Sequence, residues 1–200
     1  MKPVNRVRGI GPVWRILDEL GSHSSKAERR AQQRIARLGK GAFTELVAAL
    51  RRHPNAYARG VAASALARFG ERARPVLLRA LRDPAMPVRL HVLLALDRVW
   101  DHSVAPAVIR LLDDPSGGVR INAIAILARH HVEGASGALI RKLEDSKWYV
   151  RQQAARALGE LGAVRARVSL MRAAVDPRRA VGDAASEALA RIERPRTHGR

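Results

Sequence analysis

The sequence predicts an all-α fold, an α-solenoid (superhelix) of about five helical hairpins with a capping helix at each end. Three observations lead to this prediction. Residues recur at steps of 31, since Val88-Arg89 returns as Val119-Arg120 and as Val150-Arg151. The apolar positions between them follow helical spacing. Aromatic residues make up only 4% of the 200 residues, which poorly suits a β-sandwich. A fixed period of this size is the signature of stacked supersecondary units.

The elements follow in order along the chain. A short helix near residues 12–20 is predicted first, and a lone helix near 180–192 ends the stack. Terminal helices without a full partner are expected where a stack must stop burying apolar surface. The predicted division is an N-terminal segment with its capping helix over 1–24, the solenoid over 25–192 and a basic disordered tail over 193–200. The five hairpins pair 25–38 with 42–52, 56–69 with 72–82, 87–99 with 103–112, 118–130 with 134–144, and 149–161 with 164–174.

One unit shows why each hairpin should form. Val88, Val92 and Leu96 lie four residues apart and make one apolar helix stripe. Pro87 falls in the first turn, where its missing N–H has no partner to lose. Ser103 is the predicted N-cap of the second helix. Asp-Pro or Asp-Ser pairs, which build a turn into the repeat, end the units: Asp83-Pro84, Asp114-Pro115, Asp145-Ser146 and Asp176-Pro177.

This unit resembles a known repeat. Asp-Pro-x-x-x-Val-Arg, followed by an Ala/Leu-rich helix, a short turn and a second helix, resembles the HEAT repeat. More narrowly it is similar to the short bacterial variant of phycobilisome-lyase-type proteins, and the likeness covers about residues 25–192. The resemblance implies that the loop aspartate and the arginine after valine form a structural ladder between neighbouring repeats. The implied pairs are Asp83 with Arg89, Asp114 with Arg120, and Asp145 with Arg151.

Composition narrows the function classes. The net charge of +19 predicts attraction to anions such as nucleic acid, acidic protein segments or anionic lipid headgroups. The chain has no cysteine, which excludes disulfides, thiolate zinc sites and cysteine nucleophiles. No apolar run reaches the length of a signal peptide or of a membrane span, so we expect a soluble, cytoplasmic protein.

Two basic groups are candidate binding sites. The first, the arginine row, recurs at steps of 31 and is expected mid-way along successive second helices; the resemblance implies that these helices line the concave face. The second, the N-terminal patch, covers much of one predicted helix. The competing interpretations are a solvated helix face and the arginine bias of a GC-rich genome. The arginine row consists of Arg79, Arg110, Arg141 and Arg172, and the N-terminal patch of Lys26, Arg29, Arg30, Arg34 and Arg37.

The pattern of polar residues argues against catalysis. The seven histidines include no pair at i, i+4 and no His-Glu pair, so we expect no metal site and no cofactor. A HEAT-like DNA glycosylase would need an Asp and aromatic side chains in one cleft. Trp100 and Trp148 lie at opposite ends of their predicted helices, two repeats apart, and are not expected to share a pocket.

The sequence therefore predicts a non-catalytic binding module or scaffold that engages an acidic protein partner on its concave face. The leading alternative is sequence-independent binding of the nucleic-acid phosphate backbone. A HEAT-like DNA glycosylase and a lyase-accessory subunit are further alternatives, the latter resting on family likeness alone. The sequence leaves the oligomeric state open.

Overall fold

The computed structural model describes residues 11–20 and 25–194. All regular structure within these ranges is helical, which confirms the predicted fold class. Contacts divide the chain into two compact units, one up to Trp100 and one from Asp101 onward. The predicted 1–24, 25–192 and 193–200 boundaries stay predictions. Residues 1–10 and 21–24 of the first segment, and 195–200 of the predicted tail, lie outside the described residues.

The described residues of the first unit form six α-helices in the places that the periodicity predicts. The predicted capping helix is present as α1, and α4 is followed by a 3-10 stretch, Ala67–Ala73, in which Gly70 has φ +55°. A positive φ favours glycine, and it breaks the helical path where the sequence predicts a turn. The helices are α1 Pro12–Asp18, α2 Ser25–Arg37, α3 Ala42–Arg52, α4 Ala56–Leu66, α5 Arg74–Ala80 and α6 Met86–Arg98.

The second unit alternates long and short helices. The long helices, α8, α10 and α12, begin shortly after the loop aspartates. The short helices, α7, α9 and α11, form antiparallel hairpins with them. The helices are α7 Ala105–Arg110, α8 Gly117–Arg129, α9 Ser136–Lys142, α10 Trp148–Glu160, α11 Arg167–Ala173 and α12 Arg179–Glu193.

The short second helices begin later than predicted, because a single 3-10 turn precedes each of them. These turns are His102–Val104, Glu133–Ala135 and Val164–Ala166. The prediction that Ser103 is the N-cap of the second helix is wrong for this reason, because α7 begins only at Ala105. The backbone N–H of Ser103 instead donates to Asp101 Oδ1 at 2.9 Å, and Asp101 caps the 3-10 turn from an extended backbone conformation.

The core of the second unit follows the 31-residue step. Val119 and Leu127 on α8, and Val150 and Leu158 on α10, are all fully buried. Each such burial contributes about 1.5–3 kcal/mol relative to an exposed side chain. The helices also approach closely: a Cβ added at Gly159 of α10 would lie 2.8 Å from Ala188 Cα on α12. The close packing of α10 against α12 therefore requires that residue 159 has no side chain.

Candidate binding surface

Arginines that follow the repeat valine join successive repeats of the second unit. Arg151 Nε donates to Asp176 Oδ2 at 2.7 Å and its Nη2 to Oδ1 at 3.0 Å. Arg120 Nη2 donates to Asp145 Oδ1 at 2.7 Å. The side chain of Arg120 is 10% exposed and that of Asp145 is 6% exposed. Charge-assisted bonds of this kind, with two in parallel for Arg151, fix geometry as well as adding energy.

The same arginines also bind the backbone of their own repeat. Arg151 Nη1 donates to the main-chain oxygen of Asp145 at 2.9 Å. Arg120 Nη1 donates to that of Asp114 at 2.8 Å. Each guanidinium therefore connects the loop before its own helix to the loop aspartate of the next repeat.

The aspartate side chains have a second role. The Oδ1 atom of each accepts the backbone N–H two residues later: Ser116 for Asp114 at 2.8 Å, Lys147 for Asp145 at 3.0 Å. Such local bonds are typical of aspartate at a turn. The Asp145 carboxylate is thereby oriented toward Arg120 of the preceding repeat.

These contacts correct the pairing that the resemblance implied. Asp145 does not pair with Arg151 through its carboxylate: Arg151 reaches the main-chain oxygen of Asp145, and its carboxylate partner is Asp176. In the same way Arg120 pairs with Asp145, not with the side chain of Asp114. Arg89 likewise donates to the main-chain oxygen of Asp83, at 3.0 Å. The ladder is present, but the ion pairs of Arg120 and Arg151 are displaced by one repeat from the predicted ones.

The first unit contains a ladder arginine that the sequence pattern missed. Arg59 Nε and Nη2 donate to the two carboxylate oxygens of Asp83 at 2.8 and 2.9 Å, and Arg59 Nη1 donates to the main-chain oxygen of His53 at 2.9 Å. Arg59 precedes Arg89 by 30 residues rather than 31. Allowing a one-residue change of period in the sequence would have found it.

The ladder lowers the pKa of its carboxyl groups. Hydrogen bonds from Arg151 hold the pKa of Asp176 below its ordinary value of 3.8, with burial acting in the opposite direction. Burial also acts to raise the pKa of Asp83 and Asp145, but hydrogen bonds and positive charge from Arg59 and Arg120 outweigh it, and both values are lowered. The carboxylates are therefore ionised in the folded chain, as ion pairing requires.

The arginine row is exposed to solvent. In the second unit, Arg110, Arg141 and Arg172 are exposed, and none has a carboxylate partner among the described residues. Arg79, in the first unit, is likewise exposed on α5 and has no such partner in the part of the chain that the structure describes. The prediction that these residues lie mid-way along the second helices is wrong. They occupy the last turns, because those helices end earlier than predicted, at Ala80, Arg110, Lys142 and Ala173.

Contacts between successive short helices of the second unit bring the row together. Lys142 Nζ on α9 lies 2.6 Å from Asp113 Oδ1, which follows α7. Further along, a Cβ at Gly137 of α9 would lie 2.6 Å from Arg165 Nη2, in the turn before α11. Because adjacent packed helices lie about 8–10 Å apart, we expect the guanidinium groups of Arg110, Arg141 and Arg172 to follow one another along the second unit.

The N-terminal patch lies on α2, and all five of its residues are exposed. One of them is neutralised: Arg34 is ion-paired with Glu19, and its Nη2 donates to Glu19 Oε1 at 3.1 Å. Beside it an open groove of about 420 Å³ is lined in part by Ile16, Leu20 and Arg30. Four cations therefore remain on this helix without a carboxylate partner among the described residues.

A buried histidine occupies the first loop position in place of the repeat aspartate. The N–H of Asn55 donates to His53 Nδ1 at 3.2 Å, so the ring proton is on Nε2, which lies 3.1 Å from Asp18 Oδ1. The ring of Trp14 packs on it with centroids 4.8 Å apart. Burial lowers the pKa of His53, although Asp18 acts to raise it.

The described residues contain no group of three or more His, Asp or Glu side chains that could hold a metal ion. Within the same ranges, no helix is long and apolar enough to cross a membrane. The arrangement that the structure does show is a stack of short helices with exposed guanidinium groups, which can bind anions through charge and hydrogen bonds.

Solved structures share this fold. A designed armadillo repeat protein in complex with the peptide (KR)4 has a TM-score of 0.61 and 18% identity, over 91% of this chain and 100% of that one. The complex of CpcE and CpcF of phycocyanin lyase from Nostoc sp. PCC7120 has a TM-score of 0.59 and 23% identity, over 74% of this chain and 98% of that one.

A third similar structure is a computationally designed armadillo repeat protein for modular peptide recognition. Its TM-score is 0.60 and its identity 18%, over 90% of this chain and 99% of that one. These likenesses show the fold alone, a stack of helical repeats. No curated protein sequence matches this chain. The family model for HEAT repeats matches residues 43–128 and again 105–190, and the chain therefore belongs to the HEAT-repeat family.

Proposed function

We propose that this HEAT-repeat chain is a non-catalytic scaffold that binds an acidic segment of a protein partner along the exposed arginine row of its short second helices. The single observation that carries the proposal is the state of Arg110, Arg141 and Arg172. All three are exposed and have no carboxylate partner among the described residues, whereas the ladder arginines Arg120 and Arg151 are ion-paired and partly buried.

The regular spacing of the row supports a polymeric ligand. In the second unit one guanidinium is presented per repeat, and adjacent packed helices lie about 8–10 Å apart. An extended chain advances about 3.3 Å per residue, so roughly every third residue of an extended acidic peptide faces one arginine. Arginine binds carboxylates with two parallel bonds, which gives geometric preference as well as attraction.

The charge of the chain supports an acidic ligand. The present chain carries basic groups on its own short helices and a net charge of +19. A complementary ligand is therefore acidic.

The first test is affinity capture from the native cell, with and without nuclease. The bait is the whole chain, compared with R110E/R141E and with a control, R29E/R37E, that removes the same charge from the N-terminal patch. We expect one protein to be captured with or without nuclease, to be lost with R110E/R141E, and to be kept with the control. Equal capture by the two variants would remove the arginine row from consideration.

Nucleic acid is the second candidate, favoured by four N-terminal patch cations that lack a carboxylate partner among the described residues. If nucleic acid is the ligand, nuclease treatment should abolish the capture of partner proteins by the chain. The affinity for labelled duplex DNA should also fall with salt at a log–log slope of about −0.9 per neutralised phosphate. If duplex and single strands both stay free at low salt, this candidate is excluded.

A further inference from the structure

The second unit ends its series of short helices with an exposed apolar stripe. Val164, Val168, Met171 and Val175 are 65%, 62%, 55% and 82% exposed. Their spacing of four, three and four residues places them along one side of α11 and of the turns before and after it. We call these four residues the α11 stripe.

The stripe is not the core-facing side of α11. The buried residues of this helix and its preceding turn are Ala166, Leu170 and Ala173, which lie on the opposite side of the helix. Exposed apolar residues scattered singly need no explanation, but four on one helix side form a contiguous patch that marks an interaction site.

The repeat register shows what this side of a short helix faces. One step before Val168 stands Gly137, at which an added Cβ would lie 2.6 Å from Arg165 of the next short element. Asp113 lies two periods of 31 residues before Val175, and it is ion-paired with Lys142 of the next short helix. Both equivalents contact the element that follows. The α11 stripe therefore occupies the position that the next short element contacts in the preceding repeats, and no described residue covers it.

The charges beside the stripe indicate the chemistry of that helix. Arg165 and Arg172 are exposed on one flank and have no carboxylate partner among the described residues. Arg167 stands on the other flank, 61% exposed, with Glu193 at 3.4 Å. A second copy of this chain would bring the same arginines together across a two-fold axis, where like charges cost several kcal/mol.

We propose that the α11 stripe docks an amphipathic helix of a partner protein, whose apolar face covers the four side chains and whose flanking positions carry Glu or Asp. This surface adjoins the arginine row of the proposed function and shares Arg172 with it, so the test variants leave Arg172 unchanged. An amphipathic helix in an apolar groove is recognised through residues spaced three and four apart, as the stripe itself is.

The probe is a labelled helical peptide of about 18 residues, or five turns, with leucines at three- and four-residue spacing and Glu on both flanks. Two control peptides are matched to it: one with Lys in place of Glu, and one with the same composition in permuted order. Binding to the whole chain is followed by fluorescence anisotropy.

The decisive variant is V168S/M171S, which removes apolar surface without changing charge. Its matched control is L94S, which changes another apolar residue, 41% exposed, in the first unit. We expect V168S/M171S to lower the affinity for the Glu-flanked peptide by about tenfold or more, as truncation of central interface residues does. L94S and R110Q should bind as the native chain does. Arg110 lies two short helices away from the stripe, beyond the Debye length of about 8 Å.

Three outcomes would overturn the proposal. The first is equal binding of the Glu-flanked and Lys-flanked peptides, and the second is an unchanged affinity in V168S/M171S. The third is a dimer of the free chain in sedimentation that V168S/M171S abolishes, because a second copy would then occupy the stripe. Loss of peptide binding in R110Q, with V168S/M171S unaffected, would place the peptide on the arginine row instead.

Discussion

Arg151 and Asp176 form a two-bond ion pair across 25 residues of sequence, with N–O distances of 2.7 and 3.0 Å. The same arginine binds the main-chain oxygen of Asp145, in the loop before its own helix. One guanidinium thus joins two successive loops, and the repeats of the second unit are linked by polar contacts as well as by their apolar core.

Removal of this guanidinium should destabilise the fold. The Asp176 side chain is only 10% exposed, and in R151Q it loses its ion-pair partner. The free energy of unfolding should therefore fall by about 1–3 kcal/mol. Urea unfolding followed by circular dichroism measures the change. R179Q is the control, because Arg179 is 93% exposed and its pair with Asp183 should contribute little. Equal effects of both variants would contradict a structural role for the ladder.

Acid should weaken the ladder in a defined range. The pKa of Asp176 is lowered in the folded chain, so the unfolded chain binds more protons as the pH drops below about 3.8. The stabilisation is therefore full above that value and is lost as the pH falls through the lowered pKa. D176N should be less stable than the native chain near neutral pH but should lose less stability below about pH 4. Parallel pH profiles for D176N and the native chain would refute this assignment.

His53 should produce a separate dependence at higher pH. Its pKa in the folded chain lies below the ordinary 6.5 because the ring is buried, so the unfolded chain takes up the proton first. Stability should be full above about 6.5 and should decline as the pH falls toward the lowered pKa. Urea midpoints at about pH 7 and pH 5 measure the loss, which H53N should reduce. A loss of the same size in H53N would show that other groups cause it.

A methyl group at Gly159 should destabilise the second unit. Alanine is favoured over glycine in a helix by about 1 kcal/mol, but here its Cβ would meet Ala188 Cα at 2.8 Å. We expect G159A to lower the thermal midpoint, because backbone must move to admit the methyl group. G118A is the matched control on α8, since its nearest neighbour would be Ser116 Oγ at 3.5 Å. A stabilised G159A would mean that α10 and α12 are less closely packed than described.

The periodicity of the sequence was enough to predict the helices and the core. Val119 and Val150 share a step of 31 and are both fully buried, because equal units bury equal positions. The ion pairs were harder to predict. A spacing of six residues between Asp145 and Arg151 and one of 25 between Arg151 and Asp176 fit the same repeat pattern, and only the loop geometry distinguishes them.

The surfaces were predicted less completely. The arginine row is exposed, but the early end of α7, which places Arg110 in its last turn, leaves no clear signal in the sequence. The α11 stripe was missed because its spacing equals that of a core-facing stripe. Leu170 and Val168 are both apolar and both on α11, and burial alone separates them: Leu170 is fully buried and Val168 is 62% exposed.

The most direct test of the central claim is a titration of the chain with a labelled glutamate-rich peptide at physiological salt, compared with labelled duplex DNA of equal charge. We expect the peptide to bind, R110Q/R141Q to lower its affinity by about tenfold, and R29Q/R37Q to leave that affinity unchanged. We also expect the peptide to be preferred to the duplex. Binding that favours the duplex, or that both double variants weaken equally, would contradict the assignment of the arginine row to an acidic protein partner.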